Sequence, residues 1–199
     1  MIAFEKSEIL EMELNRDSEY GFDAQQITKA LQAMSDDLSQ KGIKGEICVF
    51  GGTAMVLAYN ARISTKDVGA IFQPSQAIRD SAITVAEGLD LPADWINDGV
   101  KGSVSARHET TSGNLPQFSN LRLTMPIPEY LLAMKCIAAR MGGTSGEPSD
   151  VADIVTLIRE LKMTSASEVL DLVSHYYPSN RVSVKTQYLV EGLFEEGKI

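Results

Sequence analysis

The stretch from Cys48 to Phe72 does most to decide what this chain can fold into. Glu46 to Phe50 is a β-branched and aromatic run of the kind that fills a strand, and it stops abruptly at Gly51-Gly52. Paired glycines let a backbone turn sharply. A short helix opens directly from the turn, and a helix start with unpaired N–H groups and a positive dipole end suits a phosphate. Arg62, Ser64, Thr65 and Lys66 form a basic, hydroxyl-bearing loop behind that helix. The next run, Asp67 to Phe72, alternates as a second strand, with Asp67, Gly69 and Ile71 on one face and Val68, Ala70 and Phe72 on the other.

Charge narrows the partners. Eighteen Lys and Arg against 27 Asp and Glu leave a formal charge of −9 in 199 residues. Broad nucleic-acid binding needs many phosphate-neutralising cations and is disfavoured. The basic residues concentrate in the middle of the chain (Arg62, Lys66, Lys101, Arg107, Arg122, Lys135, Arg140), as suits a nucleotide or one RNA end in a basic cleft. No apolar run approaches the roughly 20 residues a membrane span needs, and the first residues lack a signal-like apolar core. Cys48 and Cys136 lie in apolar surroundings and read as reduced core residues of a cytoplasmic protein. His108 and His175 stand alone, without zinc-ligand spacing.

The rest of the chain reads as mostly helical. Met1 to Gly21 has no clear period and suits a strand or a docked arm. Asp23-x-x-Gln26 resembles a capping box, followed by Ala24, Ile27, Leu31, Met34 and Leu38 at helical spacing. Pro74 and Ser75 open another helix, with Ile78, Ala82, Val85, Ala86 and Leu89 as its stripe. Leu91 to Asp98 carries the only tryptophan and reads as a loop pinned by one indole. Thr110 to Asn120 is a hairpin-like connection into a third strand, Leu121 to Met125. Pro128 begins a helix with Tyr130, Leu131, Met134, Ile137, Ala138 and Met141 on one apolar face, and the glycine-rich run to Pro148 ends it. Three more helices are expected: one on Val151, Ile154, Val155, Ile158 and Leu161, one capped by Ser165-x-x-Glu168, and one from about Arg181 to Glu196 with Tyr188, Leu189 and Leu193.

The strand, Gly51-Gly52-Thr53-Ala54-Met55 and Arg62-x-Ser64-Thr65-Lys66-Asp67 together resemble the nucleotidyltransferase superfamily, and within it the compact bacterial proteins related to the AbiEii toxins of abortive-infection and toxin–antitoxin systems. Leu91-Pro-Ala-Asp-Trp-Ile-Asn-Asp98 is similar to a segment common in that group. The resemblance implies an α/β (α+β) fold: a small mixed sheet flanked by helices, with a helical C-terminal half closing one side of the cleft. The expected division is residues 1–125 as the nucleotidyltransferase-like core and 126–199 as the helical part, packed as one compact unit. It also implies nucleotide transfer from a nucleoside triphosphate, with Mg2+, to RNA (a tRNA end among the candidates) or to protein, and a cognate antitoxin as a partner. Gly51, Gly52, Thr53, Arg62, Ser64, Thr65, Lys66 and Arg140 are then the nucleotide-binding residues. Asp67 is the metal ligand, and Lys135 with Asp150 or Asp153 completes the catalytic set.

One departure from that pattern is decisive. Two carboxylates at i and i+2 of a strand point to one side and hold a metal between them, yet the second position here is Gly69. Losing such a ligand removes several kcal/mol of barrier lowering, on the order of magnitudes in rate. Natural divergence, deliberate inactivation and a disabling change that allowed a toxic gene to be cloned each account for it. The two readings carried forward are a weakened or inactive transferase and a catalytically silent nucleotide- or protein-binding module. Plainer roles stand beside each site residue: the glycine pair as a strand-to-helix turn, Arg62 and Lys66 as a solvated loop, Lys135 as a snorkelling side chain or salt-bridge partner, and Asp150 as a helix-start residue.

Overall fold

The computed structural model describes residues 21–139 and 150–199. The arm expected before Gly21, the glycine-rich run ending at Pro148, Met141 and Arg140 lie outside them. The fold is mixed α/β: among the described residues, seven α-helices accompany a five-stranded mixed sheet and a two-stranded one. No helix among them is long and apolar enough to cross a membrane. The chain divides into two units, one holding 21–98 with Gly113–Leu123, the other Gly99–Ser112 with Thr124–Ile199.

In the first unit, Phe22–Asp23 (β1) leads into Ala24–Gln40 (α1) through the expected capping box. The Asp23 carboxylate accepts from the Gln26 N–H at 2.7 Å, and the Gln26 side chain accepts from the Asp23 N–H at 2.9 Å. Two orphan donors at the helix start are thus satisfied reciprocally. Gly45–Val49 (β2), Gly51–Leu57 (α2), Ser64–Thr65 (β3) and Val68–Gln73 (β4) follow, so both long strands lie within one residue of their expected bounds. β2 and β4 pair antiparallel, with Cys48 opposite Ile71 and Val49 opposite Ala70. Ser75–Leu89 (α3) packs on α1 and β4, burying Ile78, Ala82, Val85 and Ala86. Ile96–Asn97 (β5) then runs parallel to β4, and β1 pairs antiparallel with β3.

Alternation gives the sheet two characters. Ile47, Val49, Val68, Ala70 and Phe72 are buried, whereas Glu46, Gly69, Ile71 and Cys48 lie on a face that is half-buried or exposed. Cys48 is therefore not a core residue as expected: strand periodicity sends it to the open face, and only Cys136 is buried. Leu121–Pro126 (β7) pairs antiparallel with Thr110–Thr111 (β6), completing the order β5-β4-β2-β7-β6.

The second unit is built around Pro128–Ala138 (α4), which packs on Asp150–Glu160 (α5), Ala166–Tyr176 (α6) and Val184–Glu195 (α7). Every residue from Tyr130 to Cys136 is buried, while Ile137 is half-buried and Ala138 exposed. The single stripe expected here is thus replaced by burial all round, because helices cover α4 on several sides. On α7, Leu189 and Leu193 are buried but Tyr188 is 69% exposed, one helical position off the packed face. Segment Gly99–Ser112 belongs with these helices through polar ties. The Ser105 N–H donates to the Tyr130 hydroxyl at 2.7 Å, the Ser105 hydroxyl donates to the Tyr176 carbonyl, and the Tyr177 hydroxyl donates to the Ser103 carbonyl at 2.8 Å.

Candidate functional site

The glycine bend is tied to β4 from both sides. The Phe50 N–H donates to the Gly69 carbonyl at 2.9 Å. The carbonyl of Asp67 accepts from two hydroxyls, Thr53 at 3.1 Å and Thr65 at 3.2 Å. Thr53 is fully buried and Thr65 nearly so; the Thr53 hydroxyl ties the loop at Asp67 to the start of α2, and the Thr65 hydroxyl braces the same carbonyl from within the loop. Sequence reasoning assigned both to a ligand; the structure turns both hydroxyls inward as tethers.

The two glycines differ. Gly51 has φ +58° with open space around its missing side chain, so it supplies the left-handed turn. At Gly52 a Cβ would collide with the Thr65 hydroxyl, and it would lie 3.1 Å from the Thr65 Cβ and 3.6 Å from an Arg62 nitrogen. Glycine at 52 is thus needed for the close approach of the Thr65 side chain, while the Arg62 nitrogen lies at ordinary contact distance. The open part of the bend lies at Gly51, with the Arg62 guanidinium reaching over Gly52. Ser64 packs against Gly21, where a Cβ would sit 2.8 Å from its hydroxyl. Lys66 is exposed.

Asp67 itself is exposed, and its carboxylate accepts from the Asn97 amide at 2.5 Å. Asn97 stands opposite Gly69 in the parallel register of β5 on β4. Its strand is anchored firmly. The Val68 N–H donates to the Trp95 carbonyl at 2.7 Å, and the indole of Trp95, 1% exposed, donates to the Ala82 carbonyl at 3.1 Å. Beside it, Asp98 is bound by the Arg79 guanidinium at 2.6 Å. Asn97 is the residue that sequence reasoning missed. Its segment, Leu91 to Asp98, stands out for its tryptophan and for its likeness to the family, but neither signal places Asn97 on a strand in register with Gly69.

At Gly69 a Cβ would meet nothing within 4 Å, so the place of a second carboxylate is open rather than filled. The side chains at Asp67 offer a cation one carboxylate with an amide donor on it. Among the described residues, no group of three His, Cys, Asp or Glu side chains is placed to hold a metal ion. Asp67 is thus a single carboxylate already engaged by an amide, one oxygen-bearing side chain short of the two-carboxylate seat that the resemblance implies.

The remaining expected residues belong to the second unit. Lys135 is buried, and its ammonium lies 2.5 Å from the Asp153 carboxylate and 3.5 Å from that of Asp150. Asp153 is 1% exposed. The i, i+3 spacing brings both aspartates to the one lysine, and Asp153 faces the packed interior together with Ile154, Leu157 and Ile158. Nearby, burial pushes the Cys136 thiol up to about 12. Burial also raises the phenols of Tyr176 and Tyr177 above their ordinary range, with Tyr130 contributing in both cases.

Comparison with family models, with curated proteins and with solved structures finds no match.

Proposed function

We propose that this chain is a nucleotidyltransferase-like protein whose first unit binds a nucleoside triphosphate and which, with Gly69 in place, transfers nucleotide weakly or not at all. The observation that carries the reading is the bond from the buried Thr53 hydroxyl to the Asp67 carbonyl, which holds the Arg62–Asp67 loop beside an open glycine turn, with Thr65 bracing the same carbonyl from within the loop. Arg62 and Gly51 are the groups we assign to the phosphates, in line with the general use of guanidinium and backbone donors for such anions. Lys66 at the loop's exposed edge would add charge without fixed geometry.

Of the two readings drawn from the sequence, the silent nucleotide-binding module is favoured by the amide on Asp67 and by the open place at Gly69. The toxin–antitoxin or phage-defence setting, an acceptor RNA or protein, a cognate antitoxin and a cytoplasmic location follow from the resemblance. Two thiols without a disulfide are compatible with that location.

Calorimetry with ATP, GTP, CTP and UTP tests the reading. Binding of at least one is expected, with Arg62→Ala weakening it about tenfold, or ~1.4 kcal/mol. Labelled nucleotide should not be transferred to bulk RNA by the present sequence. Absence of binding to all four at millimolar concentration would end the proposal. Efficient transfer would favour the active enzyme instead.

A further inference from the structure

We infer that Asp67 and Asn97 form a hydrogen-bonding platform rather than a seat for a divalent cation, and that this unit therefore takes a nucleoside triphosphate without needing magnesium. The second clause rests on the nucleotide-binding reading above; the first stands without it.

The inference comes from register. In neighbouring strands, residues opposite each other project to the same face, so Asn97 shares a face with the vacant side-chain position of Gly69. A carboxylate accepts and does not donate, so the amide that lies 2.5 Å from Asp67 turns its NH2 toward it. That hydrogen occupies a direction on one of the two carboxylate oxygens that a cation would otherwise use. Magnesium asks for near-octahedral oxygen donors at about 2.0–2.1 Å and is commonly held by one or two carboxylates.

The strand that carries the amide is held in place. β5 is bonded to β4 through Trp95 and Val68, and the buried indole is fastened to Ala82. Flanking Asp98 is engaged by Arg79. The pair thus carries one negative charge answered by an amide, where a two-carboxylate site would carry two. What it presents to a ligand is hydrogen-bonding capacity suited to hydroxyl and amine groups such as those of a ribose or a base.

Manganese, a magnesium surrogate with a paramagnetic signal, provides the test on the full chain. Titration followed by electron paramagnetic resonance should show only weak, millimolar association with the present sequence. Asn97→Asp replaces the donor with a carboxylate of nearly the same shape and should tighten manganese binding about tenfold or more. Gly69→Asp, for which there is room, should do the same and serves as the second variant if the first folds poorly. Micromolar manganese binding by the present sequence that Asp67→Asn abolishes would overturn the inference. So would two folded variants with no gain.

The nucleotide arm compares ATP binding in excess magnesium and in EDTA, and the affinities should agree within about twofold. Binding lost in EDTA overturns the inference while leaving the proposed function intact. Binding absent in both buffers overturns the proposed function, and the manganese titration still decides the character of the pair.

Discussion

Asp67 and Asp153 are both carboxylates that the sequence places near a cation and a glycine-rich segment, yet their surroundings are opposite. Asp67 is exposed, answered by a neutral amide, and set beside a position with open space. Asp153 is 1% exposed and faces an ammonium at 2.5 Å in a packed helical interior. Water can reach the first, so its hydrogen bond contributes little to stability. The second is removed from water, where a charge persists only if it is paired. Charge spacing along a chain therefore locates such groups, whereas burial and the chemistry of the partner decide what they do.

The sharpest way to break this contrast is Lys135→Met. If the cluster is structural, the change strands a buried carboxylate and lowers stability by about 3–5 kcal/mol. Lys135→Met combined with Asp153→Leu should recover most of that loss, since replacing a buried pair with apolar groups is often neutral or stabilising by ~1–4 kcal/mol. Urea denaturation of the three proteins reads the result. A Lys135→Met protein of unchanged stability that loses nucleotide binding would return the lysine to the ligand site.

How much of this was readable beforehand follows the range of the interactions. The α1 capping box, the alternation of β4 and the serine cap at Ser165 depend on residues a few positions apart, and each appears where the pattern placed it. Glu168 is a partial exception: its side chain accepts from the Thr164 N–H at 2.8 Å rather than from that of the capping serine. What escaped depends on distant pairing. Asn97 meets Asp67 across 30 positions, Thr65 covers Gly52 from a separate small sheet, and Gly99–Ser112 joins the helices through Tyr130, Tyr176 and Tyr177. No local period encodes these contacts. The glycine pair was legible as a turn, but the division of labour between its two members was not.

A second test uses pH, because the titrating groups raised by burial lie in the helical unit. The folded Cys136 thiol sits at about 12, above its ordinary value of 9.0. A group raised on folding keeps its contribution below the unfolded value, so stability is intact below about pH 9 and falls as pH rises toward about 12. Tyr176 and Tyr177 act in the same direction. The urea midpoint should drop between pH 8 and 10.5, and Cys136→Ala should flatten that drop relative to the parent. An equal slope in both proteins would mean the thiol is not sequestered as the structure has it.

The smallest expected effects belong to the glycines around Asp67, and two alanine substitutions, one at the start of α2 and one on the open face of β4, isolate them. Gly52→Ala drives a methyl into the Thr65 hydroxyl, which must then leave the Asp67 carbonyl. Overpacking of this kind destabilises by about 1–3 kcal/mol. Gly69→Ala places the same methyl in open space on a strand. With no contact to violate, it should stabilise by ~0.4–1 kcal/mol, mainly by restricting the unfolded chain. Opposite signs are the expected result, with the two proteins about 1.5–4 kcal/mol apart in denaturation. A loss above about 1 kcal/mol for Gly69→Ala would mean that position 69 is crowded. An aspartate could not then be accommodated there, and the vacancy beside Asp67 would have to be attributed to packing instead of to a missing ligand.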